Sequence, residues 1–165
     1  MDFLKKIDLF KGLTDEELKK FIKITKEKKF SAGEYIIREG EVGTSIFILK
    51  EGEVEVSKNL YPGFESCLLT SQEKILTRLG PKDHPIFGEV GLLDEGVRTP
   101  NTIAVTECTL LYVNRKDFLQ LINRDKQLGF KLIFNLGKLL CSRLRKADDD
   151  TVKLSTALCL ALSKQ

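Results

Sequence analysis

The chain has 165 residues, 42% hydrophobic and 31% charged, with a net charge of +3, which describes one globular domain large enough for a real core. The charge surplus lies in residues 1–30, where nine lysines face six acids. A solvated helix face accounts for it better than a phosphate-binding stripe, so a nucleic-acid partner is not expected. The longest apolar runs, such as Leu158–Leu162, are too short to span a bilayer, and Met1-Asp2-Phe3-Leu4-Lys5-Lys6 has neither region of a signal peptide. A cytoplasmic protein without membrane contact is expected.

The first element is announced by Leu13-Thr14-Asp15-Glu16-Glu17-Leu18. Thr14 caps a helix, Glu17 completes a capping box, and Leu13 staples onto Leu18. Leu18, Phe21, Ile22 and Thr25 follow at helical spacing and form one buried stripe. From about Lys28 to Val113 the rhythm becomes short alternating or apolar runs, such as Tyr35–Arg38, Ser45–Leu49 and Val54–Val56. Gly33, Gly40, Gly43, Gly52, Gly63 and Gly80 break these runs. Such spacing predicts an antiparallel sandwich or barrel, with an enlarged hairpin over residues 59–74.

Past Asn114 the pattern is helical again. Asn114 caps a short helix carrying Phe118, Leu121 and Ile122. A longer helix begins near Asp125 and carries Leu132, Leu136, Leu139, Leu140 and Leu144. Asp148-Asp149-Asp150 predicts a kink or a new helix start, followed by Leu154, Leu158 and Leu162. The stripe Leu132–Leu144 is either core or the seam of a homodimer. The organisation is thus a helical segment over 1–27, a β region over 28–113 and C-terminal helices over 114–165, all in one domain.

Catalytic chemistry is not indicated. Cys67, Cys108, Cys141 and Cys159 are widely spaced, and His84 is the single histidine. Neither a zinc site nor a nucleophile–base pair follows from them. A non-enzymatic protein without metal or cofactor is expected.

The informative stretch is 87–99, Phe87-Gly88-Glu89-Val90-Gly91-Leu92-Leu93-Asp94-Glu95-Gly96-Val97-Arg98-Thr99. A glycine opens a single short helix, and an arginine follows ten residues after that glycine. Free N–H groups at the helix start and a guanidinium from across the turn suit an anion. Glu89 would repel that anion unless it accepts a hydrogen bond from a neighbouring sugar hydroxyl. One phosphate held close to one ribose hydroxyl satisfies both residues, which points to a cyclic nucleotide. The bland alternative is a Glu89–Arg98 ion pair bracing the turn.

This stretch resembles the phosphate-binding cassette of cyclic nucleotide-binding domains, the family of the bacterial catabolite activator protein and the regulatory subunits of cyclic-nucleotide-dependent kinases. The resemblance extends through Phe10–Leu13, Phe30–Glu34, Ile37–Gly40, Phe47–Val54, Leu79–Pro81 and Ala104–Leu111 into Asn114–Phe118. It implies a mainly β fold with flanking helices: an antiparallel double-stranded β-helix, or jelly-roll-like β-roll, between N-terminal and C-terminal helices. It also implies that Glu89 binds the ribose 2′-hydroxyl and Arg98 the cyclic phosphate of cAMP or cGMP. Backbone N–H groups near Val90, Gly91 and Thr99 complete the cradle, and Gly88 lets the backbone approach. Thr99 stands where a hydroxyl contacts phosphate or helps select guanine. Phe130, Phe134 and Ser142 are candidates for a lid over the base.

The sequence departs from the family pattern after Arg98. Pro100 replaces a small residue and removes a backbone donor, Asn101 and Thr102 make the next strand polar, and Lys82–Ile86 lengthens the approach. The expected function is a cyclic-nucleotide sensor that relays binding through its C-terminal helices. Two alternatives are a degenerate roll serving protein interaction or another small anion, and the effector part of a transcription regulator without its DNA-binding part.

Overall fold

The computed structural model describes residues 2–59, 73–83, 85–94 and 96–163. Cys67, His84 and most of the hairpin expected over 59–74 lie outside them. The chain opens with α1 (Asp2–Lys5), a 3-10 turn over Asp8–Phe10, and α2 (Asp15–Ile22). The capping box is formed. Thr14 Oγ1 accepts from the Glu17 N–H at 3.2 Å, and the Thr14 N–H donates to Glu17 Oε2 at 2.7 Å. The helix ends earlier than its apolar spacing suggests: Thr25 lies beyond it and donates its hydroxyl to the Phe21 carbonyl.

Eight strands follow among the described residues: β1 (Lys26–Phe30), β2 (Tyr35–Ile37), β3 (Ser45–Glu51), β4 (Val54–Asn59), β5 (Glu73–Leu79), β6 (Ile86–Phe87), β7 (Asn101–Ala104) and β8 (Cys108–Asn114). They form two four-stranded antiparallel sheets, in the orders β1-β8-β3-β6 and β2-β7-β4-β5. Turns between them need residues that adopt positive φ. At Gly52 (φ +90°) a Cβ would also lie 2.4 Å from the Glu107 carbonyl oxygen, so only glycine fits.

The first sheet is buried on both faces, and its strands show why. On β3, Ile46 and Ile48 join one apolar cluster while Leu49 joins the other. On β6 the neighbours Ile86 and Phe87 divide the same way, as do Val113 and Leu110 on β8. Alternation with period two therefore supplies two cores from one sheet. One core lies between the sheets, around Phe30, Val54, Phe87 and Leu110. The other packs the helices onto the outside, with Leu9, Phe10, Leu18, Phe21, Phe118, Leu128, Leu132 and Leu136.

Two C-terminal helices complete the fold: α4 (Arg115–Arg124), capped by Asn114, and α5 (Lys126–Leu162), capped by Asp125. In α5, Leu128, Leu132 and Leu136 are fully buried. Asn135 donates to the carbonyls of Leu9 and Lys11 at 2.9 Å each. Lys131 pairs with Glu17 at 2.8 Å, and Lys20 pairs with Asp125 at 2.7 Å. The base of α5 is thus tied to the N-terminal segment. Of the kink or restart expected at Asp148–Asp150, the restart does not occur: α5 runs unbroken through all three. All three are exposed, so their carboxylates stay hydrated and need no break in the helix.

Candidate functional site

The segment between β6 and β7 carries α3 (Glu89–Leu93) and Arg98. Its start is set by Gly88, whose φ of +80° lies in the left-handed region. Its end is pinned to the β2–β3 connection, where the Arg98 N–H donates to the Glu41 carbonyl at 2.8 Å and the Gly40 N–H to the Arg98 carbonyl at 2.9 Å. The Arg98 side chain then runs inward. Its Nη1 donates to the Gly88 carbonyl at 2.8 Å and its Nη2 to the Ser45 carbonyl at 2.6 Å.

Three glycines form the slot in which this guanidinium lies. A Cβ on Gly43 would sit 1.7 Å from Arg98 Nε, and one on Gly88 or Gly91 would sit 2.7 or 2.8 Å from Nη1. Gly43 was recognisable in the sequence only as a turn residue. Its part in the slot depends on two segments that meet only in the folded chain.

Arg98 is 8% exposed, and its side-chain hydrogen bonds go to carbonyls. Burial pulls its guanidinium below the ordinary value, and the nearby charge of Glu89 opposes that effect. The group remains a cation. A buried cation held by neutral carbonyls is a site for an anion.

All six residues expected from the sequence (Gly88, Glu89, Val90, Gly91, Arg98 and Thr99) line one cavity of about 580 Å³. Its floor is a single rung across the second sheet. Ile37 pairs with Thr102, Thr102 with Val56, and Val56 with Thr77, and all four face the cavity. The hydroxyl of Thr102 is buried there without a hydrogen-bond partner. Asn101 turns to other work, accepting from the Glu39 N–H at 2.7 Å. Pro100 lines the cavity directly after the cradle.

The roof is α5, which presents Arg143, Lys146, Ala147, Asp150, Thr151 and Leu154. In the sequence Arg143 reads only as one of three cations, with Arg145 and Lys146, that sit late in the long helix where the macrodipole favours them. Its Nη1 lies 2.6 Å from Glu89 Oε1, and it also donates to the Ile86 carbonyl. The buried carboxylate of Glu89 is therefore paired with α5, across the cavity, rather than bracing the turn through Arg98. Late cations in a long helix read as macrodipole partners, and only the packing of α5 over the roll gives one of them this role.

The lid candidates are corrected by the same geometry. Phe130 and Phe134 stack with centroids 5.7 Å apart on the face of α5 opposite Leu128, Leu132 and Leu136, in a separate groove with Ile122 and Ile133. Ser142 is exposed and does not line the cavity. The buried stripe fixes the rotation of α5 and turns Arg143–Leu154 toward the roll instead.

Comparison with known proteins agrees with this architecture. The family model described as "Cyclic nucleotide-binding domain" matches residues 27–125. The "Cyclic AMP receptor protein" of Thermus thermophilus is 33% identical over 140 residues, which cover 85% of this chain and 58% of the relative. Human "cGMP-dependent protein kinase 2" is 30% identical over 165 residues, covering 98% of this chain and 20% of the kinase. The chain thus spans little more than half of the first relative and a fifth of the second. Among solved structures, the Thermus thermophilus catabolite activator protein superposes with a TM-score of 0.75 at 33% identity, covering 90% of this chain and 63% of that one. With a glycine-walled arginine, a buried glutamate and a helix-roofed cavity on a matching roll, the chain belongs to the cyclic nucleotide-binding domain family.

Proposed function

We propose that the chain is a non-enzymatic receptor for a cyclic nucleotide and that α5 carries the binding signal. The observation that supports it most is Arg98, a buried cation in a glycine slot at one end of a cavity of about 580 Å³. The cyclic phosphate takes the Arg98 end, and the ribose 2′-hydroxyl takes Glu89. The partnerless Thr102 hydroxyl supports a polar occupant over the floor.

The relay follows from the Glu89–Arg143 pair. A ribose hydroxyl and Arg143 compete for the same buried carboxylate. Binding therefore alters the contact that holds α5 over the roll and shifts the helix between two arrangements. The shift is limited by the ligand's differential affinity for the two. The outward face of α5, with Phe130, Ile133, Phe134 and Leu144 all exposed, is the surface on which a second copy would pair.

Isothermal titration with cAMP and with cGMP tests the reading, with Arg98→Ala as the control. Saturable micromolar or tighter binding that the variant loses supports a receptor. Absence of heat and of thermal shift with either nucleotide would instead leave a roll that acts on another anion or on a protein.

A further inference from the structure

The hydroxyl of Thr102 is buried on the cavity floor and bonded to nothing in the fold. Thr102 stands between Ile37 on one side and Val56 on the other, and all three line the cavity. It is 1% exposed, and its Oγ1 has neither a donor nor an acceptor. Both neighbours on the rung are apolar, and valine has the same branched outline as threonine. A valine there would complete an apolar surface, whereas the hydroxyl gives up water and receives nothing from the protein. Buried polar groups without partners are rare, and each asks for an explanation.

The place of the rung indicates the missing partner. Ile37 reaches the Arg98 slot: a Cβ on Gly88 would lie 3.3 Å from Ile37 Cδ1 and 2.7 Å from Arg98 Nη1. Thr102 is the next residue on the rung, one strand spacing of roughly 5 Å away. Along β7, Pro100 still lines the cavity while Ala104 already belongs to the core between the sheets. In a 3′,5′-cyclic nucleotide the phosphate is fused to the ribose. With the phosphate at Arg98, the atoms one strand spacing away therefore belong to the sugar and its ester oxygens. Those oxygens are acceptors, and a threonine hydroxyl donates. A turn about χ1 exchanges hydroxyl and methyl in nearly the same volume, which brings the donor over the cavity without repacking the floor.

Resting on the receptor reading, we propose that Thr102 is a ligand-binding residue whose hydroxyl donates to a ribose or ester oxygen of the cyclic nucleotide. The ligand supplies the partner that the fold does not, so the residue destabilises the free protein and stabilises the bound one. It strengthens the hold on the sugar and phosphate that cAMP and cGMP share and leaves the choice of base to other groups.

The test pairs stability with affinity in Thr102→Val and Thr102→Ser. The nucleotide-free Thr102→Val protein is expected to melt about 2–4 °C above the parent. Its affinity by isothermal titration is expected to fall roughly three- to tenfold, by the same factor for cAMP and for cGMP. Thr102→Ser keeps the hydroxyl and is expected to bind within about twofold of the parent. Parent-like binding by Thr102→Val, a loss confined to one nucleotide, or an equal loss in both variants overturns the assignment and leaves the receptor reading intact. A parent that binds neither nucleotide overturns both.

Discussion

The two ends of the cavity are built from different materials. At the α3 end, Arg98 is buried, held by two backbone carbonyls, and walled by glycines that leave it no other room. At the α5 end, the polar groups are long side chains on an exposed helix, with Arg143 41% exposed and Asp150 53%. A rigid end suits what every cyclic nucleotide shares. A movable end suits the relay proposed for α5. On the proposed receptor reading, affinity and response fall to separate parts of one pocket.

The sharpest test of this contrast is at the rigid end. Arg98→Ala should cost roughly 2–5 kcal/mol of nucleotide binding, on the scale of a lost buried charge-assisted contact, as read by titration. Gly43→Ala should come close to that loss although it touches no ligand atom, because its methyl occupies the place of Arg98 Nε. Parent-like affinity in the Gly43→Ala protein would show that the slot does not position the guanidinium.

At the movable end the effects are smaller. Arg143→Ala removes the ion-pair partner of the buried Glu89 carboxylate, at a cost of about 1–2 kcal/mol once the exposure of Arg143 is allowed for. The ligand-free protein should therefore melt about 2–8 °C lower. Saturating nucleotide should recover part of that loss, and exchange protection along α5 should respond less to ligand than in the parent. Equal ligand-induced protection in both proteins would remove Arg143 from the relay.

The smallest effect concerns the anchor of α5. Hydrogen bonding from Lys131, then from the Thr14 N–H, holds the Glu17 carboxyl below its ordinary value. A carboxyl depressed in the folded state stabilises it above the ordinary carboxylate range, and that contribution is lost as pH falls through the folded value. Melting temperature should therefore decline on acidification below about pH 5, with a shallower slope for Glu17→Gln. An unchanged slope would mean that other carboxylates govern acid stability.

Much of the molecule is legible in the chain because its signals are local. The Thr14–Glu17 box, the Asn114 and Asp125 caps and the glycine turns act within a few residues. The Gly88, Glu89 and Arg98 spacing lies within one connection between strands. Arg143, Gly43 and the Thr102 rung were not legible, since each acquires its role from a partner far away in sequence. The continuity of α5 was misread for the opposite reason. Three successive aspartates are a local stop signal, and an already nucleated, hydrated helix passes through them.

That continuity has a mechanical consequence. An unbroken α5 of 37 residues is a rod roughly 55 Å long, clamped near Asp125 and Lys131 and gripped again at Arg143. Each degree of tilt about the clamp displaces the far end by about 1 Å, on that same rise per residue. On the relay proposed for α5, a rearrangement at Glu89 too slight to disturb the roll is magnified along the rod, and the Leu162 end sweeps the larger arc.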